Sequence, residues 1–336
     1  MSTTILVTGP DLHPAAQTFL SERGYQTVHT PPYADSGVIK DYLQKTGAVG
    51  IVSRMGRIDA PVLDGATSLR VISKHGVGVD NIDLDAAAAK GIPVLVATGA
   101  NAVSVAEHAI ALLMAATKRI LPLDAGLRRG LWEKPGFKGR ELAGSTLGLW
   151  GMGSIAQATA RIAKGLDLKI VGFDPYAPDA VFEEAGVTRT DSFEALLGAS
   201  DFLSLHCPLT PETRQGLNAE TIARMKPGAY VINTARGGLI DEAALLAAIK
   251  NGHLAGAGLD SFAIEPPAAD HPFWGEPRIV MTPHIGGVTA EANARVGLDA
   301  VQGIVDIAEG REVSPTRIIN RRQLQARSDT LTNAEG

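Results

Sequence analysis

Cysteine is nearly absent from this chain: Cys207 stands alone among 336 residues. One thiol cannot close an internal disulfide, and a cysteine cluster for structural zinc is excluded. Long apolar runs are missing as well. The longest are strand-sized, such as Val94-Leu95-Val96-Ala97, or are broken by charge, so no membrane span is expected. The start, Met1-Ser2-Thr3-Thr4-Ile5-Leu6-Val7, enters a strand with no basic segment and apolar signal core before it, and the expected compartment is the cytoplasm. Positive charge is not in excess: the formal net charge is -5, which argues against nucleic-acid binding through a broad basic face. An anionic ligand would have to be met by locally placed cations.

Glycine, by contrast, is plentiful. Its 37 residues are about 11% of the chain, against an average near 7%. Such an excess marks either many tight turns or places where backbone must approach a ligand. Length alone suggests about two domains. With 45% hydrophobic and 20% charged residues, the composition is that of a globular protein.

The first hundred residues alternate β-rich runs (Ile5–Thr8, Tyr25–Val28, Ala48–Ser53, Leu69–Ser73, Ile92–Val96) with helical stretches (Ala15–Arg23, Ile39–Lys45, Leu84–Lys90). This alternation predicts a parallel sheet covered on both faces. Val103–Arg119 is apolar almost all round and is expected to be a helix buried between domains or subunits. Leu121–Ala143, with Trp132, Pro135 and Phe137, reads as an irregular arm or interface element. A second alternating series starts at Thr146 and runs to the helix Glu291–Ala308; from about Arg317 an ordered arm is expected to give way to a loose tail.

Gly151-Met152-Gly153-Ser154-Ile155-Ala156 fits G-x-G-x-x-[GA]. The pattern is weak alone, but here it follows the strand Leu147–Trp150, opens the helix Ile155–Lys164, and is followed by Asp174 at the next strand's end. Gly151 would make the tight turn, Gly153 would admit a pyrophosphate, and Ala156 would let helix and sheet pack closely. Asp174 is placed to accept hydrogen bonds from an adenosine ribose and to repel a 2'-phosphate, which points to NAD over NADP. Phe173-Asp174-Pro175-Tyr176 supplies no adjacent Arg or Lys to receive such a phosphate.

Polar chemistry lies just beyond further strands. Asn233-Thr234-Ala235-Arg236-Gly237-Gly238 carries an arginine whose planar fork suits a carboxylate, although in isolation a surface arginine on a turn is the commoner case. Leu259-Asp260-Ser261-Phe262-Ala263-Ile264-Glu265-Pro266 offers two carboxylates. Thr282-Pro283-His284-Ile285-Gly286-Gly287 offers a histidine between proline and glycines. His108 reads as a satisfied core or interface residue, His206 as a packing residue, and His13, His29, His253 and His271 have no convergent partners in sequence. Cys207 lacks an activating motif and is not read as a nucleophile.

Together with His75-Gly76-Val77-Gly78-Val79-Asp80-Asn81-Ile82-Asp83, Val105-Ala106-Glu107-His108 and His206-Cys207-Pro208-Leu209-Thr210, these segments resemble the D-isomer-specific 2-hydroxyacid dehydrogenase family along almost the whole chain. The resemblance implies an α/β protein of two Rossmann-like doubly wound domains. An NAD-binding domain (101–285) would be inserted into a flavodoxin-like, discontinuous substrate domain (1–100 and 286–336). It places the catalytic residues on Arg236, Glu265 and His284. Cofactor contacts would fall on Val77, Gly151, Gly153, Ser154, Ile155, Asp174, Cys207, Pro208, Thr213, Thr234, Ala235, Arg236, Asp260, His284 and Gly287. No metal is implied.

Histidine suits proton transfer near neutral pH, a carboxylate beside it favours the protonated ring, and arginine would clamp the substrate carboxylate. Glutamate at 265 also separates the chain from formate dehydrogenases of this superfamily, which carry glutamine in that role. Substrate contacts are expected at Arg54, Lys74, Gly76, Val77 and Arg236. Arg54 and Lys74 could hold a second anion, which suits a 3-phosphoglycerate dehydrogenase-like member, without the regulatory domain found in some of them; both could equally be solvated rim residues. Hydroxypyruvate or glyoxylate reduction is the alternative. An NAD(H)-binding, corepressor-like protein acting through protein partners is the alternative of another class. A homodimer is expected, with no nucleic-acid or membrane partner.

Overall fold

The computed structural model of the chain describes residues 3–334, with side chains through 328. Its first hundred residues hold strands β1 (Thr3–Thr8), β2 (Tyr25–Thr30), β3 (Gly50–Ser53), β4 (Val71–Lys74) and β5 (Val94–Leu95). Helices α1 (Pro14–Ser21), α2 (Ser36–Thr46), α3 (Ala60–Asp64) and α4 (Leu84–Ala89) alternate with them. Next come α5 (Ala102–Lys118), α6 (Ile120–Arg128), β6 (Thr146–Trp150), α7 (Ser154–Lys164), β7 (Lys169–Phe173), α8 (Asp179–Ala185), β8 (Thr188–Arg189) and α9 (Phe193–Ala199). After these follow β9 (Phe202–Leu205), α10 (Ala219–Ile222), β10 (Ala229–Asn233), α11 (Glu242–Lys250), β11 (Leu254–Leu259), β12 (Ile279–Met281), α12 (Ala290–Ala308) and α13 (Arg321–Ala334).

The chain divides into two compact units, one made of the residues up to Asn101 with those from Val288 onward, the other of Ala102–Gly287. The first holds a parallel sheet in the order β2-β1-β3-β4-β5, the flavodoxin-like order. The second holds a parallel sheet in the order β12-β11-β10-β9-β6-β7-β8, with its strand order reversing between β9 and β6 as in doubly wound nucleotide-binding folds.

Helices cover both faces of each sheet, and the central strands are buried along their whole length, as in Gly50–Ser53, Phe202–Leu205 and Ala229–Asn233. In the first unit α2 and α3 pack Ile39, Leu43 and Val62 on one face. On the other, Ala300, Val301, Ile304 and Val305 of α12 close over Ile5, Val7 and Val52. The sheet of the first hundred residues is therefore completed by a helix from the far end of the chain. In the second unit α5 and α7 pack on one face and α9, α10 and α11 on the other. Side-chain acceptors cap most helices: Asp35, Asp59, Asp83, Ser192, Asn218, Asp241 and Thr289 each receive a first-turn amide.

Two segments depart from the sequence expectation. Within the arm read as irregular, Ile120–Arg128 is helical, with an Asp124–Arg128 pair at 2.7 Å one turn apart. Ile120, Leu121 and Leu127 of α6 are exposed, so the apolar face that betrays most helices is not turned to a core here. Where the C-terminal arm is described it is helical: residues 321–334 form α13, which lies against α4, and the rest of the expected tail lies outside the described residues. Before it, Arg317–Asn320 runs along β5, with Val96 N–H to Arg317 O at 3.0 Å and Ile319 N–H to Val94 O at 2.9 Å. Asn320 is fully buried. It accepts from Val94 N–H at 2.9 Å and donates to Ile92 O at 3.0 Å, replacing a missing strand neighbour. The short elements α3, α8 and β8 carry too few residues to show a periodicity.

Replacing Asn320 by Ala would leave both buried main-chain groups unpaired, each worth about 1–3 kcal/mol. Asn320→Ala is expected to lower stability by roughly that amount and to speed exchange of the Val94 amide. Hydrogen-exchange mass spectrometry checks this, and unchanged protection at β5 would contradict the role assigned to Asn320.

Candidate active site

Parallel register aligns the strand ends of the second unit. Trp150 pairs with Phe173 and Leu205, Leu205 with Asn233, Asn233 with Leu259, and Leu259 with Met281, so the last residues of β7, β6, β9, β10, β11 and β12 form one row. The chain leaves this row at Asp174, Gly151, His206, Thr234, Asp260 and Thr282. Segments far apart in sequence thus deliver their side chains along one edge, at steps of about 4.8 Å.

At the β11–β12 end, His284 Nδ1 lies 2.8 Å from Glu265 Oε2, a contact that calls for a proton on Nδ1 and leaves Nε2 for chemistry. The other Glu265 oxygen accepts the Phe262 N–H at 3.0 Å. The hydrogen bond to Glu265 is the largest influence on His284. Together with the charges of Glu265 and Asp260, it raises the ring pKa above the ordinary 6.5, against the opposing effects of burial and Arg236. Burial pushes the Glu265 carboxyl up, but hydrogen bonds from His284 and Phe262 N–H, with the charges of His284 and Arg236, outweigh it and hold the group below its ordinary range.

His284 has φ +55°, a left-handed conformation uncommon for a residue with a side chain. Asp260 supplies the constraint. It is 2% exposed and accepts from Thr282 Oγ1 at 2.6 Å, Ile285 N–H at 2.9 Å and Gly286 N–H at 2.7 Å, with His108 Nε2 at 3.3 Å. Burial would raise its pKa, yet these donors outweigh burial and keep it low. Both oxygens of Asp260 therefore brace the loop that bears His284. His108 reaches the same node through Thr282 Oγ1 at 2.8 Å.

Arg236 follows β10. The fully buried Asn233 holds its turn by donating to Arg236 O at 2.9 Å and accepting the Ala235 N–H at 3.0 Å. Arg236 Nη1 donates to Ala235 O at 2.7 Å. The next residue must be glycine: a Cβ on Gly237 would stand 1.9 Å from the carbonyl carbon of Phe262, so the Arg236 turn and the Glu265 loop touch backbone to backbone. The charge of Arg236 lowers the pKa of both Glu265 and His284.

The glycine loop lies where the strand order reverses. Gly151 has φ +97°, and a Cβ there would meet Cys207 N at 2.7 Å. A Cβ on Gly153 would meet nothing within 4 Å, and Gly153 precedes α7 as its N-cap, with no side-chain cap. An uncapped helix start opening on space, in a chain that caps most of its helices, fits a pyrophosphate. Asp174 accepts the Met152 N–H at 2.9 Å with one oxygen and the Tyr176 N–H at 2.9 Å with the other, fixing the carboxylate beside the loop. Thr234 Oγ1 and Ser261 Oγ are buried without a hydrogen-bond partner at the same edge. These features of the strand-end edge fit a dinucleotide.

Cys207 is buried and its thiol is pushed up to about 12 by that burial, so it is inert as a nucleophile. His206 is driven down to about 4 by burial and stays neutral. Thr213 Oγ1 donates to Pro208 O at 2.6 Å and ties down the loop after β9. The structure also brings in a cation that the local sequence does not show: Arg189 Nη2 donates to the main-chain oxygen of Asp174 at 3.2 Å, while its Nη1 pairs with Asp179.

Arg54, Lys74, Gly76 and Val77 belong to the other unit, at the ends of β3 and β4. Arg54 Nη1 donates to Pro10 O and Asp11 O, each at 2.7 Å, and Lys74 Nζ donates to Asn81 Oδ1 at 2.7 Å. Burial, with the charges of Arg54 and Lys74, lowers the neighbouring His75 to about 4. Among the described residues no group of three His, Cys, Asp or Glu is arranged to hold a metal ion, and no helix is long and apolar enough to cross a membrane.

If Glu265 raises the His284 pKa, then Glu265→Gln removes both the charge and the preference for the protonated ring. The His284 titration midpoint, followed by NMR of labelled histidine, is expected to fall; an unmoved midpoint would break the pairing inferred from the 2.8 Å contact.

Comparison with known proteins agrees with this architecture. Residues 110–286 match the NAD binding domain of D-isomer specific 2-hydroxyacid dehydrogenases. The chain is 42% identical over 247 residues to D-3-phosphoglycerate dehydrogenase of Mycobacterium leprae (strain TN), covering 74% of this chain and 46% of that one. It is 42% identical over 256 residues to hydroxypyruvate reductase of Thermotoga maritima, covering 76% of this chain and 82% of that one. A solved structure from Thermus thermophilus matches with a TM-score of 0.82 at 38% identity, covering 92% of this chain and 98% of that one. The match spans about half the length of the phosphoglycerate dehydrogenases. Names of dehydrogenases and a reductase do not favour the corepressor-like alternative. With its nucleotide-binding fold, its row of strand ends and these relatives in agreement, the chain belongs to the D-isomer-specific 2-hydroxyacid dehydrogenase family.

Proposed function

We propose that this chain is an NAD-dependent oxidoreductase that moves a hydride between nicotinamide and a D-2-hydroxyacid or its 2-oxoacid, with 3-phosphoglycerate as the preferred substrate. The observation that carries this reading is the convergence of Arg236, Glu265 and His284 at the ends of three adjacent strands, with the Glu265–His284 contact at 2.8 Å. The T. maritima relative named hydroxypyruvate reductase supports reduction of hydroxypyruvate or glyoxylate as the alternative.

NAD(H), when bound, accepts or supplies the hydride. The chain's own residues handle charge and the proton. Arg236 holds the substrate carboxylate and draws electron density from the neighbouring carbonyl oxygen. His284 Nε2 gives a proton to that oxygen in ketone reduction and takes one from the hydroxyl in oxidation. Glu265 keeps Nδ1 protonated and stabilises the charged ring, so the raised pKa favours reduction at neutral pH. The sign follows: reduction needs protonated His284 and slows as pH rises through the raised value, whereas oxidation gains.

Residues up to Asn101 with those from Val288 would form the substrate unit, and Ala102–Gly287 the nucleotide unit. Arg54 and Lys74 would meet a second anionic group on the substrate, with Gly76 and Val77 offering main-chain amides. Exposed Ile120, Leu121, Leu127 and Trp132 on α6 and the arm after it, the last at 73%, support a homodimer through this face. The cytoplasm suits a chain with a lone thiol.

A panel of NADH oxidation with phosphohydroxypyruvate, hydroxypyruvate, glyoxylate and pyruvate tests the reading. Turnover with at least one is expected, and His284→Ala is expected to abolish it while NADH still binds. Tight NADH binding without turnover of any 2-oxoacid would overturn the assignment. Asp174→Ala is expected to raise efficiency with NADP(H) relative to NAD(H) by roughly tenfold, the size of one charged contact. The nearby Arg189 would assist that gain. An unchanged cofactor ratio would count against Asp174 as the discriminating residue.

A further inference from the structure

Two neighbouring main-chain amides in the loop after β11 are held by different carboxylates. Phe262 N–H donates to Glu265 Oε1 at 3.0 Å, and Ala263 N–H donates to Glu242 Oε1 at 2.9 Å. Glu242 opens α11, but capping does not require it, because Asp241 already accepts the Ala243 and Ala244 amides. Glu242 Oε2 lies 3.3 Å from His271 Nε2. His271 Nδ1 accepts the Phe273 N–H at 3.4 Å, which places the ring proton on Nε2, facing the carboxylate. The His271 ring is in turn fixed among Phe262, Phe273 and Trp274, with centroids 5.8, 4.8 and 5.4 Å away.

A second histidine–glutamate pair thus stands one peptide from the first. The loop cannot yield on its inner side, where Gly237 meets Phe262 backbone to backbone. On the outer side it is tied by Glu242. Any shift of the Ala263 amide carries the Phe262 amide with it, and hence the anchor of Glu265 Oε1. A 2.8 Å contact to His284 tolerates little such movement.

We propose that Glu242, oriented by His271, is a positioning residue that fixes the loop peptide from which the Glu265 carboxylate is aimed at the His284 ring. This rests on reading Glu265 and His284 as the proton-transfer pair. The charged groups facing His284 are Glu265, Arg236 and Asp260, so Glu242 acts through the loop. A cap or a surface ion pair with no further consequence would be silent in the titration of His284.

The test uses the full chain and two readouts, the His284 titration midpoint by NMR and steady-state reduction of the best 2-oxoacid. Glu242→Ala is expected to lower the midpoint in the same direction as Glu265→Gln, and to lower kcat about ten- to a hundredfold, the usual cost of misplacing a reacting group by about 1 Å. NADH affinity is retained. Glu242→Gln keeps an acceptor for the Ala263 N–H but turns its amide NH2 toward the His271 Nε2–H, and is expected to restore part of both. A midpoint and kcat untouched by Glu242→Ala would overturn the proposal, as would equal impairment in the Ala and Gln variants. If Glu265→Gln leaves the midpoint unmoved, the proton-transfer reading itself fails; if it moves the midpoint and Glu242→Ala does not, only the positioning role fails. Should Glu242→Ala not fold, His271→Ala leaves α11 intact and is read in the same way.

Discussion

One geometric constraint underlies the candidate site: six parallel strands end in a single row. Parallel pairing keeps register across the sheet, and the helices on both faces leave only the strand ends open to a ligand. Because Trp150, Phe173, Leu205, Asn233, Leu259 and Met281 are aligned, the next residues of each strand share one edge without any local sequence contact between them. The glycine loop, the Asp174 turn, the Arg236 turn and the His284 loop all lie along that edge. A one-residue slip at β11 would turn Asp260 and Glu265 away together.

The edge sets position along the row, but not direction. Direction comes from side chains that hold main-chain turns. Asn233 closes the turn before Arg236, Asp260 imposes the left-handed conformation of His284, and glycine at 237 lets two loops meet without a side chain between them. Each is buried, where an unpaired polar group is costly, so each turn has little freedom to rearrange. Rigid turns on a rigid edge are what allow an exposed His284, with 46% of its side chain accessible, to keep a 2.8 Å partner.

Much of this is legible in the sequence. Gly151, Gly153 and Asp174 are readable because strand, glycines, helix and acid succeed one another within one local unit. Arg236, Glu265 and His284 each sit beside turn residues just past a β-rich run. What cannot be read are partnerships created by sheet order. Asn233 looks like the last strand residue, and Glu242 like an ordinary first-turn acid. His271 has no convergent partner until the order β12-β11-β10 brings α11 beside the loop after β11. Arg189 escapes for the same reason, since β8 is added at the sheet's edge. The helices α6 and α13 are hidden on different grounds: the exposed apolar residues of α6 give no core-facing stripe, and α13 is too polar to show one.

The loop after β11 also shows how environment assigns opposite tasks to two carboxylates of one short segment. Asp260 is buried and gives both oxygens to chain donors, so its charge is locked and its work is geometric. Glu265 is partly exposed and gives one oxygen to a main-chain amide, leaving the other for the His284 ring. Had the more exposed group carried all the amides, the histidine would lack a partner; had the buried one faced the ring, titration would have strained the loop itself. Separating the brace from the proton partner by five residues lets His284 change charge while its backbone stays fixed. That division, more than the identity of any single residue, separates the group that fixes the loop from the group that faces the ring.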